Sequence, residues 1–385
     1  MRNLRVGVDA WGLSGDGACT GMGQYTASLL KWVPLFAPIE MVAYGAPGEN
    51  PPSWLPSDVE WRVPPMRART GRLTAIASRT WWLPSATSRD HIDVFHAPGL
   101  HVRPSLPPVP SARCPLVVTI HDLIPLSYYR SALPRRNRFF YSWNLGRALK
   151  ADRTLTVSES ARDEIARYTG VSKACIDVVT SAVDFAPNRD RASLGKAGIE
   201  GDYILYAGSY EPRKDLLGML AAFDRFSPTG GAYSLVAITE RSSGHASAVQ
   251  ASLASLTCRD KVRLVHSVPD SMLRALYTHA CAVVFPSLAE GLGLPPVQAA
   301  ACGVPVVVSD LPVLRETVGE MAVFARPGDP DSLLNALVRV TTDGSARALA
   351  ARFGPDIAAK YSPKACASDH AQAYWSCHER RHALA

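Results

Sequence analysis

The sequence predicts an α/β protein made of two parallel-sheet domains, and three observations carry that prediction. Short apolar runs alternate with helix-length patterns through the first half, the mark of βαβ units. A second alternating series starts at Tyr203. Between them, the stretch VVTSAVDFAPNRDRASLGKAGIEGD breaks the rhythm with proline, glycine and mixed charge. A chain of 385 residues suits two domains of roughly 150 to 200 each. The expected organisation is an N-terminal Rossmann-like domain over 1–182, a linker over 183–201, a C-terminal Rossmann-like domain over 202–361, and a final helix over 362–385.

In chain order, Leu4 to Val8 reads as a strand. A glycine-rich loop, Gly12 to Gly23, leads into a helix whose apolar face is Tyr25, Leu29, Leu30 and Val33. Val94 to His96 and Leu116 to Ile120 read as strands ending at a histidine and a loop. Thr154 to Val157 is another, with Ser158 or Ser160 capping the helix that follows. The second series runs through Tyr203 to Ala207, Leu235 to Ile238, Val262 to Val265, Ala282 to Phe285 and Val304 to Ser309. The tail from Ser362 reads as a helix.

Hydrophobic content of 47% with 19% charged residues is that of an ordinary globular protein. No apolar stretch approaches the roughly 18 residues that a membrane span requires. MRNLRVGVDAWG reads as a strand entering a loop rather than a signal peptide, so a cytoplasmic protein is expected, with peripheral attachment to the inner face of the cytoplasmic membrane as an option. Eight cysteines without a C-x-x-C pair read as reduced, buried small hydrophobes. Cys366, His370, Cys377, His378 and His382 include pairs at helical spacing, but nothing outside the tail completes a ligand set, and no metal is expected.

The net charge of +7 lies entirely in residues 1–182. It concentrates in two acid-free stretches. Glu60 to Asp90 brackets six arginines and Trp81-Trp82, and Asp122 to Asp152 brackets Arg130, Arg135, Arg136, Arg138, Arg147 and Lys150. Solvated helix faces and a surface for anionic lipid or a lipid-diphosphate acceptor both fit; no nucleic-acid motif accompanies the charge.

The chemistry concentrates in Val283 to Asp310, VVFPSLAEGLGLPPVQAAACGVPVVVSD. A buried strand breaks at Pro286-Ser287, and Glu290 stands before a glycine-rich turn. A helix from about Pro295 to Cys302 follows, and Gly303-Val304-Pro305 precedes the next strand. Ligands of such sheets collect at strand C-termini and helix N-termini, which places Glu290 beside a ligand. YAGSYEPRKDLLGML likewise puts Arg213 and Lys214 after a strand and at the start of a helix, where phosphate is favoured.

These segments resemble the family 4 retaining glycosyltransferases. The first is similar to that family's P-S-x-x-E-G-F-G-L-P-x-x-E-A-M-A-C-G-x-P-V, the second to its G-x-x-E-P-R-K-x. TGMGQYT is similar to T-G-I-G-R-Y-T, and VVTIHDLIP to the family's H-D segment. TVSESARDEI and LRETVGE extend the resemblance over most of the chain. It implies a GT-B fold with an interdomain cleft, an acceptor domain first and a nucleotide-sugar domain second. It implies that Arg213 and Lys214 clasp the diphosphate, that Glu290 holds the donor sugar and that His121 bonds a sugar hydroxyl. Gly291, Leu294 and Gln298 fall on the nucleotide, Gln298 where the family's E-x7-E pattern has its second Glu. Gly21 and Gly23 would let the backbone approach donor phosphate or acceptor, although Gly15-x-Gly17 equally suggests a dinucleotide site, and the family's arginine is Gln24 here. His96 ends a strand as His121 does, Asp122 is a turn or cap residue beside it, and Asp329-x-Asp331 reads as a helix cap rather than a metal motif.

The implied activity is retaining transfer of a hexose, with GDP-mannose as the preferred donor. The acceptor is a glycan or a polyprenyl-diphosphate-linked glycan in bacterial polysaccharide or O-antigen assembly. No cofactor or divalent metal is expected. A GT-B epimerase or phosphorylase, or a catalytically silent sugar-nucleotide-binding subunit, is the alternative.

Overall fold

The computed structural model describes residues 3–13, 20–65, 77–100, 114–195, 197–227, 233–239, 245–266 and 268–383. Gly15, Gly17, the His382 side chain and three of the six arginines between Glu60 and Asp90, Arg67, Arg69 and Arg72, lie outside the described residues. The chain divides into two compact units, one of residues 1–182 with 361–385, the other of residues 183–360.

The first unit holds a seven-stranded, all-parallel sheet in the order β3-β2-β1-β4-β5-β6-β7. The strands are β1 Leu4–Asp9, β2 Ile39–Tyr44, β3 Glu60–Arg62, β4 Val94–Ala97, β5 Leu116–Thr119, β6 Arg153–Thr156 and β7 Ile176–Val178. The central strands are buried on both faces, which explains their continuous apolar runs. Gly7 is there for space: a Cβ would come within 3.0 Å of the Phe95 and Tyr44 rings. The first helix, Gly21–Phe36, buries Tyr25, Leu29, Leu30 and Val33 as the 3.6-residue period predicts. It begins inside the segment expected to be loop, because Thr20 caps it by accepting from the Gly23 N–H at 3.1 Å. Ser158 caps Glu159–Thr169 in the same way. The C-terminal helix, Pro363–Ala383, belongs to this unit and packs on Gly21–Phe36.

The second unit holds a six-stranded parallel sheet, β10-β9-β8-β11-β12-β13. Its strands are β8 Tyr203–Ala207, β9 Ser234–Ile238, β10 Val262–Val265, β11 Ala282–Phe285, β12 Val306–Ser309 and β13 Ala322–Ala325. The segment 183–201 is packed, with Phe185, Leu194 and Ile199 buried in this unit's core. β2, β3, β7 and β13 are additions to the expected strands.

In each sheet the strand order reverses once, between β1 and β4 and between β8 and β11. Open parallel sheets bind ligands beyond the C-terminal ends of the strands at that reversal, where neighbouring connections leave in opposite directions.

Candidate active site

Both chemistry-bearing segments of the second unit flank its reversal: Gly208 to Lys214 follows β8, and Pro286 to Gly293 follows β11. Arg213 and Lys214 lie on a single 3₁₀ turn, Pro212–Lys214. Asp215 then adopts a left-handed backbone, φ 50°, and opens the helix Leu216–Phe226 by accepting from the Gly218 N–H at 3.1 Å. This modifies the expectation drawn from the helix dipole. The helix N-terminus is capped by the chain's own carboxylate, so the positive character of the site comes from the side chains of Arg213 and Lys214.

Those side chains converge on Glu290. Lys214 Nζ donates to Glu290 Oε1 at 2.5 Å and Arg213 Nη1 to the same oxygen at 3.1 Å. Arg213 Nη1 also reaches the Ala289 carbonyl at 3.3 Å, while Nε donates to Glu211 Oε2 at 2.7 Å. The loops are tied together by the Leu288 N–H donating to the Arg213 carbonyl at 2.6 Å. The buried Tyr206 hydroxyl donates to the Lys214 carbonyl at 3.1 Å, and the Lys214 ammonium lies 4.6 Å from the Phe285 ring centroid. Side-chain exposure is 8% for Glu290, 14% for Lys214 and 19% for Arg213. Burial works against the ionised form of Glu290, but Lys214 and Arg213 more than offset it and hold the carboxyl below its ordinary range. Burial pulls Lys214 below its own ordinary value, and Glu290 limits the fall. The result is a fixed carboxylate with two cations against it in a site of low water access, suited to binding an anion and a polyol side by side.

Gly291 is buried in the turn after Glu290. Gly293 has φ 93°, and a Cβ there would meet Leu314 Cδ2 at 2.6 Å, so this turn requires glycine on both counts. The helix Leu294–Ala301 opens without a side-chain cap, with prolines at its next two positions. Gln298 stands half-buried one turn beyond Leu294.

In the first unit, Gly21 is the exposed first residue of its helix, and the Gly23 N–H is taken up by Thr20. The Gly23 N–H is thus engaged by the Thr20 side chain in this structure. His121 is half-buried after β5, and its Nε2 lies 2.8 Å from the Pro98 carbonyl. A carbonyl only accepts, so Nε2 carries the proton and Nδ1 is the acceptor. Burial lowers the His121 pKa and keeps the ring neutral. Asp122 Oδ1 accepts from the Ile124 N–H at 3.0 Å, a turn role. Asp329 caps Pro330–Thr342, accepting from Asp331 and Ser332. His96 is fully buried and bonded on both nitrogens, which makes it a structural residue.

The structure thus gathers Arg213, Lys214 and Glu290 within hydrogen-bond distance, with Gly291, Leu294 and Gln298 on the segment that follows. Gly21, Gly23 and His121 belong to the first unit. Glu211 was not among the sequence candidates; its place two residues before Arg213 in the EPRK segment is the signal that could have found it.

Two Rossmann-like parallel-sheet units of seven and six strands define a GT-B fold. The chain belongs to the family 4 glycosyltransferases. The family Glycosyltransferase Family 4 matches residues 21–186, and Glycosyl transferases group 1 matches residues 190–356. Among curated relatives, O-antigen chain mannosyltransferase RfbU of Salmonella typhimurium is 29% identical over 227 residues, covering 58% of this chain and 60% of that protein. O-antigen chain mannosyltransferase B of Escherichia coli is 29% identical over 380 residues, covering 92% and 96%. Among solved structures, sucrose-phosphate synthase from Thermosynechococcus elongatus superposes with a TM-score of 0.76 at 17% identity, covering 98% of this chain and all of that one. Among the described residues no helix is long and apolar enough to cross a membrane.

Proposed function

We propose that this glycosyltransferase is a retaining hexosyltransferase that moves mannose from GDP-mannose to a glycan or polyprenyl-diphosphate-linked acceptor in O-antigen or related polysaccharide assembly. The observation that carries this reading is the Glu290 carboxylate set against Lys214 and Arg213 at the sheet reversal. The two cations meet the charge that develops on the departing diphosphate, where preorganised groups in a dry site contribute most. Glu290 accepts hydrogen bonds from sugar hydroxyls, and His121 Nδ1 accepts one more. Gln298 faces the ribose, with Gly291 and Leu294 beside the nucleotide. As the acceptor oxygen bonds to the anomeric carbon, the bond to the leaving phosphate breaks on the same face. The acceptor proton passes to that phosphate. Arg213 and Lys214 take the part a divalent ion plays elsewhere, so transfer is expected to persist in EDTA. The names of both relatives support mannose.

The acceptor side is supported by the helix Arg135–Ala148, which exposes Phe139 and Trp143 among Arg135, Arg136 and Arg147. Arg147 lies over the Trp143 ring at 5.3 Å. Aromatic rings flanked by guanidinium groups suit an anionic lipid surface that carries the acceptor.

The test is incubation of the purified protein with UDP-, GDP- and dTDP-sugars, with and without a polyprenyl-diphosphate-linked glycan. GDP-mannose should release GDP only as the acceptor gains a mannose with retained anomeric configuration. Conversion of a nucleotide sugar without acceptor would make it an epimerase. Binding without transfer or hydrolysis would make it a silent subunit.

A further inference from the structure

Inside the first unit, five polar side chains from four elements are buried together, each 4% exposed or less: Tyr25 of the first helix, His96 of β4, Thr119 of β5, and His370 and Tyr374 of the C-terminal helix. Their contacts form one line. Tyr374 Oη lies 2.8 Å from His96 Nδ1, and His96 Nε2 is 2.8 Å from Thr119 Oγ1. Thr119 Oγ1 is 3.0 Å from Tyr25 Oη, which is 2.7 Å from His370 Nε2. His370 Nδ1 ends the line 2.7 Å from the Cys366 carbonyl.

With the imidazoles neutral, that carbonyl fixes the direction of every bond. It only accepts, so His370 Nδ1 carries a proton and, in the neutral ring, Nε2 is the acceptor. Tyr25 therefore donates to His370 and accepts from Thr119. With its proton spent on Tyr25, Thr119 accepts from His96 Nε2, which leaves His96 Nδ1 to accept from Tyr374. With both imidazoles neutral, every contact in the line has one donor and one acceptor in a single arrangement. Burial lowers His96 well below its ordinary value and His370 to about 4, in agreement with that arrangement.

The line has a second contact at Tyr25. Its ring meets the His121 imidazole edge to face, centroids 4.7 Å apart and planes at 90°. His121 is thus held from two sides, by the Pro98 carbonyl on Nε2 and by the Tyr25 ring, and Tyr25 cannot swing away about χ1 without breaking its bonds to Thr119 and His370. We propose that Tyr25 is a positioning residue for His121, locked by the C-terminal helix through His370, and that it sets the direction in which His121 Nδ1 accepts a sugar hydroxyl. This rests on the role of His121 given above. The C-terminal helix then acts on His121 through one tyrosine.

The experiment is a mutant cycle on the full chain with GDP-mannose and acceptor, reading kcat, KM and, separately, the Kd of bare GDP. Tyr25→Phe keeps the ring and removes the lock; it should lower kcat about tenfold or more. The Kd of GDP, bound in the second unit, should stay within about twofold. In a His121→Ala background, Tyr25→Phe should add nothing. His370→Leu, which removes the acceptor for the Tyr25 hydroxyl, should imitate Tyr25→Phe, and His370→Gln, whose amide oxygen accepts in its place, should recover most of the rate. Should Tyr25→Phe fail to fold, the Leu–Gln pair at 370 reads the same chain from its far end. Equal losses from Tyr25→Phe with and without His121 would overturn the positioning role while leaving that of His121 intact. Native turnover in His121→Ala would overturn both.

Discussion

Replacing Glu290 by glutamine separates the charge at the site from its shape, because the amide keeps an oxygen near Lys214 and Arg213 and loses the charge. Both cations lie within 3.1 Å of one carboxylate oxygen, and all three side chains are less than one-fifth exposed. Breaking so buried a pair by removing one partner costs about 3 to 5 kcal/mol, and the retained amide oxygen puts Glu290→Gln at the lower end. For a unit of this size about 3 kcal/mol corresponds to a fall in Tm of roughly 6 to 12 °C, read from the transition of the second unit, since two units need not unfold together. The sign with pH follows from the lowered carboxyl. The folded state holds Glu290 ionised to lower pH than the unfolded chain does, so its contribution is full above the ordinary carboxylate range and is lost as pH falls through the folded value. The gap between native and mutant should be constant near neutrality and narrow in acid. The same change relieves Lys214 and Arg213 of a competing anion. Bare GDP should therefore bind the mutant at least as tightly as the native protein and restore more of its Tm, whereas transfer of mannose should fall by two orders of magnitude or more. Calorimetric titration with GDP, thermal melts from pH 7 to 4 and a transfer assay read all three. A mutant with native Tm, or one in which GDP affinity and turnover fall together, would refute the reasoning.

Lys214→Ala should lower turnover at least about a hundredfold, since one charge-assisted contact to a developing phosphate charge is worth roughly 2.7 to 4 kcal/mol; a near-native rate in the transfer assay would remove Lys214 from the leaving-group site. Gln298→Ala should weaken bare GDP several-fold, about 1 kcal/mol, and Gln298→Glu should keep or tighten it, because an amide can accept from one ribose hydroxyl and donate to the other; unchanged binding in the alanine variant would place Gln298 away from the ribose. The first unit should lose stability in acid. His370 takes a proton at its ordinary value near 6.5 when unfolded but only near 4 when folded, so stability falls as pH drops through that window, by on the order of 3 kcal/mol at pH 4. His370→Gln should flatten this dependence in thermal melts, and an unchanged slope would count against the neutral chain. Vesicles containing anionic lipid should retain the protein at low salt and lose it when Arg135, Arg136 and Arg138 become serine; binding indifferent to lipid charge would leave that helix a solvated face.

Most of the fold was legible because a parallel sheet covered on both faces writes itself as apolar runs. β8, β10 and β11 have the bounds that their runs suggest, and the first helix shows its buried stripe at Tyr25, Leu29, Leu30 and Val33. β3 and β7 were not legible. Each is a three-residue edge strand, Glu-Trp-Arg and Ile-Asp-Val, and pairing with a neighbour rather than pattern makes it a strand. The start of the first helix was misplaced for a different reason: glycines at 21 and 23 suggest loop, and the Thr20 cap overrides that preference.

The site was legible as residue types and hidden as a state. Arg213, Lys214 and Glu290 were each placed at a strand end by local pattern, but the contact between them joins residues 76 and 77 positions apart, and no window of sequence reports it. That contact changes how the residue roles must be understood. Cations awaiting a diphosphate and a carboxylate awaiting a sugar describe a bound complex; before binding, these groups satisfy one another, and Glu211 balances the charge that Glu290 leaves over. Under the proposed function, donor binding at this site is an exchange of ion pairs. On the proposed roles, each contact a donor diphosphate makes with Lys214 or Arg213 competes with Glu290 and frees an acceptor lone pair on it for a hydroxyl. The phosphate and sugar halves of a donor are therefore coupled through one oxygen atom, and their separate affinities should not add.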